Sequence, residues 1–146
     1  MRKKLCIFTA VLLICLLALT GCSSGTNTSS GEVTVAPSEL AKQLAQETVT
    51  SDTLNEVSAD IVASTYFVDM DQIEASSVYM STAASACEVA VIQCKDSSYV
   101  SEVQDLLQTR VDNQTTLYSS YNATETQKLE AAILRTSGNY VVLCVC

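Results

Sequence analysis

Seven cysteines and no histidine set the chemistry open to this 146-residue chain. Without imidazole there is no Ser-His-Asp or Cys-His nucleophile pair, and no metal site that uses histidine. Thiols remain. Cys6 and Cys15 lie in an apolar run, Cys22 follows it, and Cys87, Cys94, Cys144 and Cys146 fall in the body of the chain. Four body thiols allow three pairings. Cys144 and Cys146 are two apart and share a face of any strand that holds them, whereas Cys87 and Cys94, seven apart, face opposite sides. The leading expectation is that they are small buried hydrophobes in a sheet. A cross-strand bridge of Cys94 with Cys144 or Cys146 is the second. A thiolate metal site on Cys144 and Cys146 lacks the usual two-residue spacer.

The carboxylates offer less. Asp69, Asp71 and Glu74 cluster, but the stretch lacks the glycine and the ligand ladder of a calcium loop, so helix capping is the better account. Glu88 and Asp71 are the carboxylates a small hydrolase would use, yet no pair stands at a spacing diagnostic of general acid–base work. Tyr66, Tyr79, Tyr99, Tyr118, Tyr121 and Tyr140 could line a glycan or peptide groove, and their spacing suits core or boundary positions better. Of four glycines only Gly138 lies beyond residue 31, so a glycine-rich phosphate cradle is absent. No catalytic, cofactor-binding or metal-binding residue is therefore assigned, and no cofactor is expected.

The cysteine with the most specific setting is Cys22. Arg2, Lys3 and Lys4 precede an almost wholly apolar run over residues 5–19, a charged region and an apolar region of secretory type. The run is short of the roughly 20 residues a membrane span needs, and a retained anchor is the alternative. Leu19-Thr20-Gly21-Cys22 resembles the lipobox of bacterial lipoproteins. That resemblance implies a diacylglyceryl group on the Cys22 thiol and cleavage just before it, leaving enough acyl chain for stable anchoring. The Ser, Gly, Thr and Asn run over residues 23–31 then reads as a flexible tether spanning roughly 15–18 Å. The expected organisation is a signal peptide over 1–21, the lipidated cysteine and linker over 22–36, and a folded domain over 37–146. Removing residues 1–21 takes away three of eight basic residues and no acid, which moves the formal charge from −8 to −11. Such a body is repelled by phosphate backbones, which argues against nucleic acid as a partner. Asn27, Asn113 and Asn122 each begin an Asn-x-Ser/Thr triplet, which in a bacterial chain is chance.

The elements that must position these residues follow from periodicity. Pro37 opens a helix with Leu40, Ala41, Leu44 and Ala45 on one side, ended near Val49-Thr50-Ser51. A second helix runs over 59–67, with Ile61, Val62 and Phe67 toward a core and Tyr66 as an optional fourth member. A short helical turn at Asp71 uses Glu74 three residues on as a capping box. Residues 76–81 and 86–95 read as a β-hairpin, with Val89 and Val91 on one face and Ala90 and Ile92 on the other. Residues 96–121 form an amphipathic helix whose stripe is Val100, Val103, Leu107, Val111, Gln114, Tyr118 and Tyr121, flanked by Leu106 and Leu117. A weak cap at 124–127 precedes a second hairpin, 131–137 with 140–146, across Ser137-Gly138-Asn139. The predicted fold is α+β: a four-stranded, mainly antiparallel sheet with helices on one face.

In this order, "YFVDMDQIEASSVYMS", "EVAVIQCKD", "VQDLLQTRVDNQ" and "KLEAAILRTSGNYVVLCV" resemble a family of lipoproteins of Gram-positive bacteria catalogued as domain of unknown function 4358. The resemblance covers Tyr66 onward and does not include the cysteines. It implies a lipid-anchored extracytoplasmic α+β domain, with no established activity and no catalytic residues to carry over. The expected function is a non-enzymatic binding or interaction module on the outer face of the bacterial cytoplasmic membrane. Its partners would be the membrane, through Cys22, and an envelope protein or the cell wall. The alternatives are a small cell-wall-modifying hydrolase and a thiol-based redox or metal sensor.

Overall fold

A computed structural model describes residues 33–48 and 50–146. The expected signal peptide, Cys22 and the tether as far as Glu32 lie outside the described residues. Along the chain come α1 (Pro37–Glu47), β1 (Leu54–Glu56), α2 (Ala59–Tyr66), a 3-10 turn (Met70–Gln72), β2 (Ile73–Ser81), β3 (Glu88–Cys94), a second 3-10 turn (Ser97–Tyr99), α3 (Val100–Ser119), α4 (Ala123–Glu130), β4 (Ile133–Ser137) and β5 (Tyr140–Val145). No helix among the described residues is long and apolar enough to cross a membrane.

The α+β class holds, with two corrections. The sheet has five strands in the order β1-β2-β3-β5-β4, every neighbouring pair antiparallel, rather than four. The added strand is β1, three residues of Leu-Asn-Glu pairing with the end of β2, too short and too polar to show an alternation. Nor do the helices keep to one face. The alternation of β3 is real: Ala90, Ile92 and Cys94 join Val141, Leu143 and Val145 of β5 against α2, α3 and α4. Val91 and Tyr140 turn the other way and meet Ala41 of α1, with Leu40 and Leu44 beside it. So α1 covers the face that a one-sided layer would leave wet. Val33 packs there too, and the Tyr140 hydroxyl donates to the Val35 carbonyl at 3.0 Å, fastening the residues ahead of α1 to the sheet.

A bulge sets β2 in phase with the core. Ile73 pairs with Cys94 and Ala75 with Gln93, leaving Glu74 as the extra residue. Ile73 and Val78, five apart, thereby reach the same face and are both buried. In α3 the stripe narrows to Val103, Leu107, Val111 and Tyr118, while Leu117 and Tyr121 are exposed. Tyr121 instead packs its ring on Tyr118, with centroids 5.3 Å apart. Asn122 accepts from the Glu125 amide and starts α4, a helix that the 124–127 signal only hinted at. The β4–β5 turn is Gly138-Asn139, with φ +54° at Gly138 alone, the pattern of a type II′ hairpin.

The second helix differs from its expectation in a way that matters for the site. Val62 and Tyr66 are buried, but Ile61 and Phe67 point out, Phe67 being 79% exposed. One helical face cannot hold all four, because Ile61 and Val62 are about 100° apart on the wheel. The cap at the next turn is Asp69, whose Oδ1 accepts from the Asp71 amide, rather than Asp71 with Glu74.

Candidate functional site

A charged pair lies beneath the surface of the core, and an open groove lies over it. Glu88 is the first residue of β3 and shares the face of Ala90 and Ile92, so the strand's own alternation turns a carboxylate inward. It is 4% exposed. Arg110 sits between Leu107 and Val111 on the buried side of α3, and its Nη2 donates to Glu88 Oε2 at 3.1 Å. Burial pushes the Glu88 carboxyl up from the ordinary range, and the Arg110 charge and hydrogen bond offset only part of that shift. Tyr66, the last residue of α2, is 1% exposed. Its hydroxyl is pushed well up by burial and then by the Glu88 charge. The Tyr66 hydroxyl and Arg110 Nε are both buried and make no hydrogen bond within the protein. Such orphaned donors cost stability.

Above this pair, Thr65, Tyr66, Phe67, Leu106, Thr109, Arg110, Asn113 and Gln114 line a groove of about 260 Å³. Phe67 is the unusual member. It ends α2 in the left-handed region, φ 59° and ψ 29°, the position where helices favour glycine. A bulky residue there carries roughly 1–2 kcal/mol of backbone strain. The strain holds an exposed aromatic ring at the rim of the groove beside a half-buried guanidinium. Chemically, the groove offers a π-face, one cation and the amides of Asn113 and Gln114. That set suits recognition of a polar chain with a stackable or apolar edge.

A second polar cluster ties the loop before β3 to α4. Glu125 is 7% exposed, and its Oε2 accepts from the Ala86 amide at 2.8 Å and from Ser85 Oγ at 3.1 Å. Lys128 Nζ reaches Glu125 Oε1 at 2.8 Å, Cys87 Sγ and Ser85 Oγ at 3.4 Å each, and Asp52 Oδ2 at 3.7 Å. Burial works against the charge on Glu125, but the bonds from Lys128, Ala86 and Ser85 outweigh it and lower the carboxyl. Thr50 Oγ1 lies 3.4 Å from Cys87 Sγ. The whole cluster acts as a latch.

The residues singled out in sequence fall as follows. Glu88 is at the site, and Tyr66 is at the site as a core tyrosine. Asp71 is exposed beyond the far end of β3, where its carbonyl accepts from Lys95 Nζ, so it makes no pair with Glu88. Asp69, Asp71 and Glu74 are exposed, and the first two form a cap. Cys87, Cys94, Cys144 and Cys146 are thiols. The bridge from Cys94 to Cys144 or Cys146 is ruled out by register: β5 runs antiparallel to β3, so Cys144 stands opposite Val89, five residues or about 16 Å from Cys94. Tyr99 and Tyr140 are core tyrosines whose hydroxyls bond backbone, at Asp69 and Val35. Arg110 and Phe67 line the groove without having been singled out in sequence as site residues, Phe67 having been placed in the core. The available signal for Arg110 was that it is the one basic residue of α3 and adjoins Leu107 and Val111 of the stripe.

Taken together, the fold is a small α+β domain with helices on both faces of one antiparallel sheet and a groove over a buried ion pair. Over residues 47–146 the chain matches the family described as Domain of unknown function (DUF4358), and it belongs to that family. The match begins nineteen residues ahead of Tyr66 and so takes in β1 and α2 as well. Comparison with curated proteins and with solved structures finds no match.

Proposed function

We propose that this chain is a lipid-anchored extracytoplasmic binding module, held through Cys22 to the outer face of the bacterial cytoplasmic membrane. Its groove engages a cell-wall or envelope-protein partner. Leu19-Thr20-Gly21-Cys22 after a charged and apolar leader supports the address. The observation that carries the binding role is Phe67, an exposed aromatic ring kept in a strained conformation at the rim of a groove. Strain of this kind persists where the surrounding structure imposes it, and it concentrates at ligand clamps. The alternative, a hydrolase built on Glu88 or Asp71, has less support. Glu88 lies behind Arg110 and does not line the groove, and among the described residues no carboxylate does.

Two measurements test the reading. Intact mass of protein purified from its native membrane should show loss of residues 1–21 and a diacylglyceryl group on Cys22; an unprocessed chain refutes the address. For the groove, the amide spectrum of the full chain in detergent is titrated with soluble disaccharide-peptide fragments of peptidoglycan. Shifts confined to Phe67, Arg110 and Asn113, and lost in Phe67→Ala, support a cell-wall ligand. Unperturbed spectra turn the search to envelope proteins, and an envelope-protein complex left intact by Phe67→Ala refutes the groove.

A further inference from the structure

We propose that Cys87 and Cys146 form a redox-active disulfide pair that fastens the end of β5 to the start of β3. The ladder between these strands has Glu88 opposite Val145 as its outermost pair. One residue further along each strand brings Cys87 opposite Cys146, on the face shared with Val89 and Cys144. The hydrogen bonds identify the kind of pair. The Cys87 carbonyl accepts from the Ser81 amide of β2, at 3.0 Å, and its amide goes to Ser85 Oγ. Its backbone therefore points away from β5. At the other end of β3, Cys94, of opposite parity, donates to Asn139 on the β5 side, as the alternation requires. Cys87 and Cys146 thus occupy a non-hydrogen-bonded position, where facing Cα atoms stand about 4.5 Å apart. Disulfides span Cα separations of about 4.4–6.8 Å. Cys144 competes poorly: its cross-strand partner is Val89, and it reaches Cys87 only along a diagonal of about 7–8 Å.

The exchange balances with a disulfide oxidant of the glutathione class. Cys146 is exposed and attacks first as its thiolate, forming a mixed disulfide and releasing one glutathione thiol. Cys87, 1% exposed, then attacks the Cys146 sulfur. The intramolecular bond forms and the second glutathione thiol leaves. The pair gives up two electrons and two protons, and glutathione disulfide takes up both. Bridging turns the Cys87 thiol, 3.4 Å from Lys128 Nζ and from Thr50 Oγ1, into a disulfide sulfur with no proton to donate, so these two contacts beside α4 change with the same event.

The test is disulfide mapping of the full chain in detergent, equilibrated with oxidised glutathione, then alkylated, digested and weighed. The expected product is a linked peptide pair joining Cys87 to Cys146, two hydrogens lighter than the separate peptides, with Cys94 and Cys144 alkylated. The link should persist in Cys144→Ser and disappear in Cys146→Ser, and it should raise the melting temperature until a reductant is added. Full alkylation of Cys87, a link from Cys87 to Cys144, or glutathione retained on Cys146 overturns the proposal.

Discussion

Replacing Arg110 with Met tests the physics of the site most directly. Methionine keeps an apolar stem through the groove floor and removes only the guanidinium. Glu88 Oε2 then faces Tyr66 and hydrocarbon with no cation. At 3.1 Å and an effective dielectric constant of 20, the lost attraction is about 5 kcal/mol. The Arg110 side chain is 25% exposed against 5% for Glu88, so water already screens part of that energy. Breaking a buried pair from one side costs about 3–5 kcal/mol, and this exposure puts the expected loss near the lower end, about 3 kcal/mol. For about 100 folded residues that is a fall of about 12–24 °C in melting temperature. The sign with pH is fixed by Glu88. Its folded pKa stands above the unfolded value and rises further without Arg110, so between those values the folded state binds a proton that the unfolded chain has released. Stability therefore falls as pH rises through that window, and the deficit of R110M should be largest at pH 7–8 and shrink toward pH 5. Urea unfolding of the full chain in detergent, followed by circular dichroism across that range, reads both quantities. Adding Glu88→Gln to R110M should restore part of the loss, since no charge is then buried. A loss under about 0.5 kcal/mol at pH 7, independent of pH, would sink the argument, because water would then be reaching Glu88.

Three other changes probe parts away from the groove. Glu125→Gln should release the loop before β3: the Glu125 pKa is lowered on folding, so its contribution is full above about pH 4.5 and is lost as pH falls through the folded value. The variant should flatten that acid limb and speed hydrogen exchange at the Ala86 amide; unchanged protection there would mean the loop is held by something else. Gly138→Ala meets no atom within 4 Å but must adopt φ near +54°, so denaturant unfolding should show a loss of about 1 kcal/mol from backbone strain alone. Asn122→Ala removes the α4 cap and should cost about 1 kcal/mol in the same assay, with fraying confined to the first turn of α4 by hydrogen exchange.

Much of the scaffold could be read from periodicity because its strongest elements are locally consistent. The alternation in β3, the stripe of α3 and the Gly138-Asn139 turn each follow from neighbours a few residues away. What escaped depends on distant partners. β1 is a strand only because the end of β2 offers it a ladder, and α1 covers the second face for reasons visible only once the sheet exists. The site was legible by halves. Glu88 was named as a carboxylate that a hydrolase would use, but nothing local buries it or couples it to Arg110, twenty-two residues away. Phe67 looked like a core residue because apolar bulk ordinarily is. Its exposure follows from a left-handed helix end that the sequence marks with no glycine.

The strand order also dictates a folding sequence. β2 and β3 are neighbours in the chain and can pair early across a short loop. β5, the other partner of β3, arrives only after α3, α4 and β4 have been traversed. The central strand must therefore wait with one edge and an apolar face uncovered, while a loop-closure entropy of roughly 3 kcal/mol is met. Rates fall as such long-range contacts come to dominate a topology. The slow step assigned by this arrangement is the docking of the β4–β5 hairpin beside β3. Until it is complete, the start of β3, with Cys87 and Glu88, is the stretch most open to a chaperone or to a second unfinished chain.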